Sequence, residues 1–292
     1  MGSEMCIRDR SKGDEEKIAT GLATLHEEDP TFIYRVDSEL KQTIISGLGE
    51  LQLEIVVDRL KQKFNVEVDL IEPKVPYRET IRGKGESKYR HKKQSGGAGQ
   101  FAEVWMSVEP KARGEGVEFS NSLVGQSVDR VFVPSVEKGV NAACVEGILA
   151  GCLVVDVKAN FYDGKQHPVD SKDVAFQIAG KGAFKEAFMG AKPCLLEPIM
   201  EIEVKVPEDQ MGDVMGDISG RRGKVLGMDT EGGFQVIKAE VPQASLYRYS
   251  TTLRSLTGGR GTHREKFSHY ENMPGDVEKK VIAANTETEE EE

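Results

Sequence analysis

The sequence predicts an α+β chain of three units, and three observations carry that fold class. An early and a late stretch each interleave amphipathic helices with short strands. The middle stretch follows a different order of elements, and Pro73, Pro76, Pro193 and Pro198 mark the joints between them. At 292 residues the chain has room for two or three domains, each with its own core.

The early stretch begins with a helix over about 14–28. Ile18, Leu22 and Leu25 fall at helical spacing, and Asp14, Glu15 and Glu16 sit in the first turn, where the helix dipole favours acids. Pro30 ends it. Residues 32–46 alternate as two strands turning near Ser38-Glu39. A second helix puts Leu53, Val56, Val57, Leu60 and Phe64 on one face, and a strand follows at 66–71. The order α-β-β-α-β is one strand short of the ferredoxin-like β-α-β-β-α-β unit. A missing central strand leaves backbone groups unpaired, so residues 12–72 are expected to open first in hydrogen exchange.

The middle stretch has strands near 77–82 and 102–109, then a helix starting at Pro134, a residue suited to a first turn. A strand at 153–160 and a polar loop at 162–168 precede a helix carrying Phe176, Ala183, Phe184 and Phe188. The late stretch completes the ferredoxin-like order. It has a strand at 200–206, a helix with Met211, Val214, Met215 and Ile218, a hairpin around Gly232-Gly233, a helix with Leu246, Tyr249, Leu253 and Leu256, and a closing strand at 264–270. Glu287 and Glu289 to Glu292 form an acidic block that predicts a solvated, disordered tail.

Composition narrows the function classes. Hydrophobic residues are 38% and charged residues 30%, a globular profile, and no apolar run reaches the roughly 18–20 residues of a bilayer span. The first ten residues lack the apolar core of a secretory signal, so the cytoplasm is the expected compartment. Cys6, Cys144, Cys152 and Cys194 have no metal-ligand spacing and are expected to be reduced, mostly buried residues. A net charge of −10 argues against a protein that coats nucleic acid indiscriminately. Against that background, Arg82, Lys84, Lys88, Arg90, Lys92 and Lys93 crowd a dozen residues with only Glu86 opposing them. Such a segment suits phosphate contact or the solvated face of a hairpin.

No nucleotide site is visible. Each Gly-Lys pair, at Lys84, Lys165, Lys181 and Lys224, lacks the hydroxyl residue that a phosphate-binding G-x-x-x-x-G-K-[ST] loop requires. The run Gln94-Ser95-Gly96-Gly97-Ala98-Gly99-Gln100 permits close backbone approach, as a phosphate cradle or simply as a hairpin turn. His167 at the end of a polar loop suits an RNA contact or plain exposure better than general-base work, which needs a carboxylate in reach such as Asp163 or Asp170. Arg221, Arg222, Arg254, Arg260 and Arg264 give the late unit basic edges or ordinary surface.

Taken in order, several segments resemble elongation factor G: Gly47-Leu48-Gly49-Glu50-Leu51-Gln52-Leu53-Glu54, Tyr77-Arg78-Glu79-Thr80-Ile81, the glycine-rich run at 94–100, His167-Pro168-Val169-Asp170-Ser171, Ala183-Phe184-Lys185-Glu186-Ala187-Phe188, Leu195-Leu196-Glu197-Pro198-Ile199-Met200, Gly212-Asp213-Val214-Met215-Gly216-Asp217 and 253–261. The resemblance covers about 11–284. It implies a third domain at 11–75 lacking its first strand, a fourth at 76–197 with an S5-type α/β fold, and a fifth at 198–284. A non-family segment at 1–10 and the acidic tail at 285–292 flank them.

The resemblance further implies a ribosome-binding part of a translocase, not itself an enzyme, that moves transfer RNA and message by placing its fourth domain in the A site of the small subunit. Contacts with 16S rRNA, transfer RNA and message would fall to Gln94, Ser95, Gly96, Gly97, Lys165, Gln166, His167 and Asp170. Arg90, Lys92 and Lys93 would meet backbone phosphates. Docking on 23S rRNA would fall to Arg221, Arg222, Arg254 and Arg260. No catalytic residue, metal or cofactor is expected in the chain; GTP and magnesium belong to a GTPase domain expected in cis. Gln52 replaces a usual histidine and Ala98 an arginine, which suggests a divergent paralogue. Two alternatives stand beside this: a small-molecule phosphotransfer enzyme on an S5-like fold, and a ribosome rescue or protection paralogue.

Overall fold

The chain opens with a strand that the sequence reading omits. In the computed structural model, which describes residues 3–10, 13–94, 99–125 and 127–291, β1 spans Ser3–Asp9 and is followed by α1 Glu15–Glu28, β2 Ile33–Asp37, β3 Gln42–Gly47, α2 Glu50–Phe64 and β4 Val68–Ile71. The sheet order is β2-β3-β1-β4 with every neighbour antiparallel. The early domain is therefore a complete ferredoxin-like unit. The expected loss of its first strand, the separate status of residues 1–10 and the premise for early opening are all corrected. The reason lies in burial. Met5, Cys6 and Ile7 are three consecutive buried residues, so this central strand gives a short apolar run between Glu4 and Arg8 rather than an alternation.

Met5 and Ile7 join Ile18, Leu22, Leu53 and Leu60 in one core. Asn65, left-handed at φ 53°, ends α2 and donates its N–H to Lys61 O. Gln52 fixes the entry to α2: its Oε1 accepts from Leu48 N–H at 2.7 Å, while its Nε2 donates to Asp29 Oδ2 at 3.1 Å and Thr31 Oγ1 at 2.6 Å.

The middle elements are β5 Arg78–Ile81, β6 Gly85–Lys93, β7 Gln100–Pro110, β8 Val117–Asn121, α3 Val133–Glu146, β9 Leu153–Val154, β10 Val157–Lys165 and α4 Asp173–Gly190. The main sheet runs β6-β7-β10-β8, with β10 parallel to β8 and the other pairs antiparallel. Ala102, Val104, Met106 and Val108 alternate on β7 and pack with Phe176, Phe184 and Phe188 of α4 in a buried core. Helices α3 and α4 therefore cover one face and leave the other open. They touch closely: a Cβ on Gly139 would lie 2.1 Å from Gln177 O, and one on Gly180 would lie 2.8 Å from Val136 O.

Glu79 of β5 is fully buried. Its Oε2 accepts from the N–H groups of Ile148 at 2.7 Å and Leu149 at 2.8 Å, and its Oε1 from those of Ala150 at 2.8 Å and Cys152 at 2.9 Å. One carboxylate thus organises the whole loop between α3 and β9. Beside it, burial together with the Glu79 charge pushes the Cys144 thiol up to about 12. All four cysteines are free, and Cys6, Cys144 and Cys194 are buried.

The last elements are β11 Pro193–Pro207, α5 Met211–Gly220, β12 Lys224–Glu231, β13 Phe234–Pro242, α6 Tyr249–Leu256, β14 Thr262–Asn272 and α7 Gly275–Glu291. β11 pairs with β13 and with β14, and β12 with β13, around a core of Ile202, Val204, Val214, Ile218, Ile237 and Leu253. Gly232 and Gly233, both at positive φ, make the hairpin turn. This domain repeats the strand and helix order of the first, as expected.

Contacts divide the chain into two units, Met1–Pro76 with Pro198–His269, and Tyr77–Glu197 with Tyr270–Glu292. The second contains α7, where the sequence predicts a disordered tail from 285. The helix instead runs to Glu291. Val277, Val281 and Ile282 pack with Ala150, Leu195 and Met273, Glu278 Oε1 accepts from Leu195 N–H at 2.7 Å, and Asn285 Nδ2 donates to Ala150 O at 3.0 Å. A docked apolar stripe nucleates the helix, and glutamate, a good helix former, extends it.

Three substitutions are read by urea unfolding. Gly139→Ala is expected to destabilise by about 2–3 kcal/mol through overpacking, whereas Gly216→Ala, with open space around it, is expected to stabilise by about 0.5–1 kcal/mol through helix propensity. Glu79→Gln is expected to cost about 3 kcal/mol, because its amide would present N–H groups to two backbone donors.

Candidate nucleic-acid interface

Two connections begin at one end of the middle sheet, one between β6 and β7 and one between β10 and α4. Ser95, Gly96, Gly97 and Ala98 fall outside the described residues. Gln94, Lys92 and Lys93 are exposed at the end of β6, with Lys92 opposite Phe101 and Lys93 opposite Gln100. The second loop is tied to β7. Asp170 O accepts from Phe101 N–H at 3.0 Å, and Ser171 Oγ donates to Phe101 O at 2.8 Å while accepting from His167 N–H at 2.8 Å.

His167 is oriented from its own backbone. Its Nδ1 accepts from the N–H groups of Val169 at 3.3 Å and Asp170 at 3.2 Å, and its ring meets Phe101 edge-on at 6.3 Å. With Nδ1 an acceptor, the neutral imidazole carries its proton on Nε2, and the side chain is 51% exposed. Asp170 is half-buried and lies 3.4 Å from Nδ1. The Gln166 side chain turns away to accept from Asp129 N–H at 2.7 Å.

The remaining cations are organised by a residue that the sequence reading missed. Glu103 of β7, with only 7% of its side chain exposed, accepts from Arg90 Nε at 2.6 Å and from Trp105 Nε1 at 2.9 Å, and lies 3.8 Å from Lys165 Nζ. Arg90, Glu103 and Lys165 are register partners on three adjacent strands. Burial works against the Glu103 charge, but the Trp105 indole, the Arg90 guanidinium and the Lys165 ammonium together outweigh it and hold the carboxyl below the usual glutamate range. The sequence carries only part of this signal: alternation with Ala102, Val104 and Met106 puts Glu103 and Trp105 on the face away from the helices, but does not show the donors around Glu103.

The late-domain arginines divide. Arg221 donates from Nε to Asp217 at 2.8 Å, from one terminal nitrogen to Ser245 O at 2.6 Å and from the other to Thr252 Oγ1 at 3.0 Å, and it stacks over Tyr249. Arg254 donates to Leu48 O of the first domain, within the same unit. Arg260 is 55% exposed and 3.5 Å from Asp209. Arg222 is exposed in left-handed backbone just after α5. A cleft of about 400 Å³ in the same unit is lined by Glu4, Arg35, Tyr247, Arg248, His263 and Glu265. Burial, with the Arg254 charge adding to it, holds His263 down at about 4.

Three family models match in sequence order: elongation factor G domain III over residues 3–72, domain IV over 73–192 and the elongation factor G C-terminus over 194–281. This chain belongs to the elongation factor G family. Its β1 lies inside the domain III match, and the β6–β7 and β10–α4 connections both lie inside the domain IV match. A crystal structure from Thermus thermophilus superposes with a TM-score of 0.84 at 38% identity, covering 98% of this chain and 43% of that one. The chain thus spans less than half the length of that relative. Among the described residues no helix is long and apolar enough to cross a membrane.

Glu103 gives the interface a pH signature. A carboxyl with a lowered folded pKa contributes stability that is complete above its unfolded value, about 4.3, and is lost as pH falls through the folded value. Emission of Trp105, the single tryptophan, is expected to hold steady from pH 7 to about 4.5 and to change below that. In Glu103→Gln that low-pH step is expected to be absent.

Proposed function

We propose that this chain is the ribosome-binding portion of a translocase, which blocks backward slippage of transfer RNA and message by occupying the A site of the small subunit in the cytoplasm. The observation that carries this reading is the tying of the β10–α4 loop, with half-exposed His167, to β7 through Phe101, at the end of the sheet where Lys92, Lys93 and Gln94 are exposed. Donors and cations on a rigid sheet suit backbone-directed RNA contact. Gln94, Lys92, Lys93, Lys165 and His167 meet 16S rRNA, transfer RNA or message in this reading, and the glycines at 96 and 97 allow close approach. Gln166 and Asp170 act mainly by shaping the loop. On the large-subunit side, Arg222 and Arg260 are the cations offered to 23S rRNA, while Arg221 and Arg254 brace the domain that carries them.

The mechanism is steric. The chain contributes no bond chemistry, and nucleotide with magnesium belongs to a GTPase domain acting in cis. Co-sedimentation with 70S ribosomes across a salt series tests the reading: pelleting is expected at low salt and is expected to fade as salt rises. Lys92→Ala with Lys93→Ala is expected to reduce the slope of log affinity against log salt by about 2. Absence of pelleting at low salt, or micromolar binding of GTP or ATP to this chain by calorimetry, would overturn it.

A further inference from the structure

The face of the β6-β7-β10-β8 sheet away from the helices is left open, and its side chains fall into rows across the strands. Nearest the loops is the row Arg90, Glu103, Lys165. Next comes Lys88 opposite Trp105, with the Lys88 ammonium 3.8 Å from the indole centroid. A β-bulge between Phe161 and Asp163 adds one residue to β10 and brings Tyr162 edge-on to Trp105 at 6.3 Å; bulges re-aim side chains in this way. The third row is Glu86, Ser107, Asn160, Ser120, with Asn160 Nδ2 donating to Ser122 Oγ at 2.9 Å. That row crosses a groove of about 510 Å³ whose far rim carries Lys84 and Lys158.

We propose that this open face binds an unpaired RNA strand, with a base on Trp105 and Tyr162 and the sugar-phosphate chain running from the hydroxyl and amide row towards Lys88, Arg90 and Lys165. Charge decides the polarity of the occupant. The half nearest the loops carries Lys88, Arg90 and Lys165 against Glu103, which is buried, and Asp163. Chemistry decides the class. A π-face beside a cation suits a nucleobase next to its phosphate, and a duplex would hide its base faces inside the stack. Base stacking on an aromatic ring outweighs an exposed cation–π contact. An arriving base therefore displaces Lys88 and leaves its ammonium to meet phosphate. Ser107, Asn160 and Ser120 suit a ribose 2′-hydroxyl, which DNA lacks. The proposal extends the ribosome-binding reading and shares Lys165 with it, but uses none of Lys92, Lys93, Gln94 and His167.

Because Trp105 is the single tryptophan, its emission reports occupancy directly. Titrating the full chain with a single-stranded oligouridylate is expected to quench at least half of that emission. An RNA duplex of equal length is expected to leave it unchanged, and the matching oligodeoxythymidylate to bind several-fold more weakly. Lys88→Ala with Asn160→Ala, both on the open face, is expected to weaken the oligouridylate at least fivefold while ribosome pelleting persists. Lys92→Ala with Lys93→Ala is expected to do the reverse. Pelleting without quenching would overturn the platform and leave the ribosome reading standing. Quenching without pelleting would support the platform and overturn that reading. Equal quenching by duplex, or by a polyacidic peptide, would overturn the assignment to unpaired RNA.

Discussion

Much of the second unit depends on one buried carboxylate satisfied by neutral donors. Glu79 gathers four backbone N–H groups from a loop that leaves α3, enters β9 and receives α7. A buried charge is tolerated only where its lone pairs are matched, so the loop has little freedom to adopt another path. The end of α3 is set by that path, and α3 packs tightly on α4 through Gly139 and Gly180. The sheet that carries the two loops rests on both helices. Placement of the candidate interface is thus traceable to a residue on another strand, outside the main sheet.

Glu103 is also a poorly exposed carboxylate, but it is satisfied differently. Its partners are a guanidinium, an ammonium and an indole, all on or near the open face. The Glu79 donors are backbone and cannot be exchanged. The cations at Glu103 are long, half-exposed side chains that trade partners at modest cost. One carboxylate therefore fixes a fold, while the other holds a set of cations in register yet available. Both sit in domain IV, and neither is visible from charge counting.

What the sequence disclosed follows from physical periodicity. Helices α1 and α2, the β12–β13 hairpin and α6 were legible because their buried residues recur at regular spacing with breakers at the ends. β1 was not, since Met5, Cys6 and Ile7 are all buried and leave no alternation. The last helix was hidden by its acidic end, which masked the stripe of Val277, Val281 and Ile282. At the interface, His167 and the basic run stood out by residue type. Glu103 did not, because a glutamate on a strand looks the same whether it faces water or three donors. Arg221 misled in the opposite sense: a basic residue after a helix resembles surface until its three hydrogen bonds are seen. Gln52 is a milder case. An amide accepts and donates at once without titrating, which suits the opposed demands of Leu48, Asp29 and Thr31.

The second unit is assembled from two stretches of chain, 77–197 and 270–292, with an entire ferredoxin-like domain encoded between them. A ribosome making this protein releases the sheet, both helices and the Glu79 loop well before α7 exists. Until then Ala150 and Leu195 lack their cover, and Leu195 N–H lacks the Glu278 carboxylate. The fifth domain, by contrast, closes as soon as β14 emerges, so vectorial synthesis gives it a head start over the domain that precedes it in sequence. The part of the chain proposed to work inside one ribosome is therefore finished by another only after its successor in sequence.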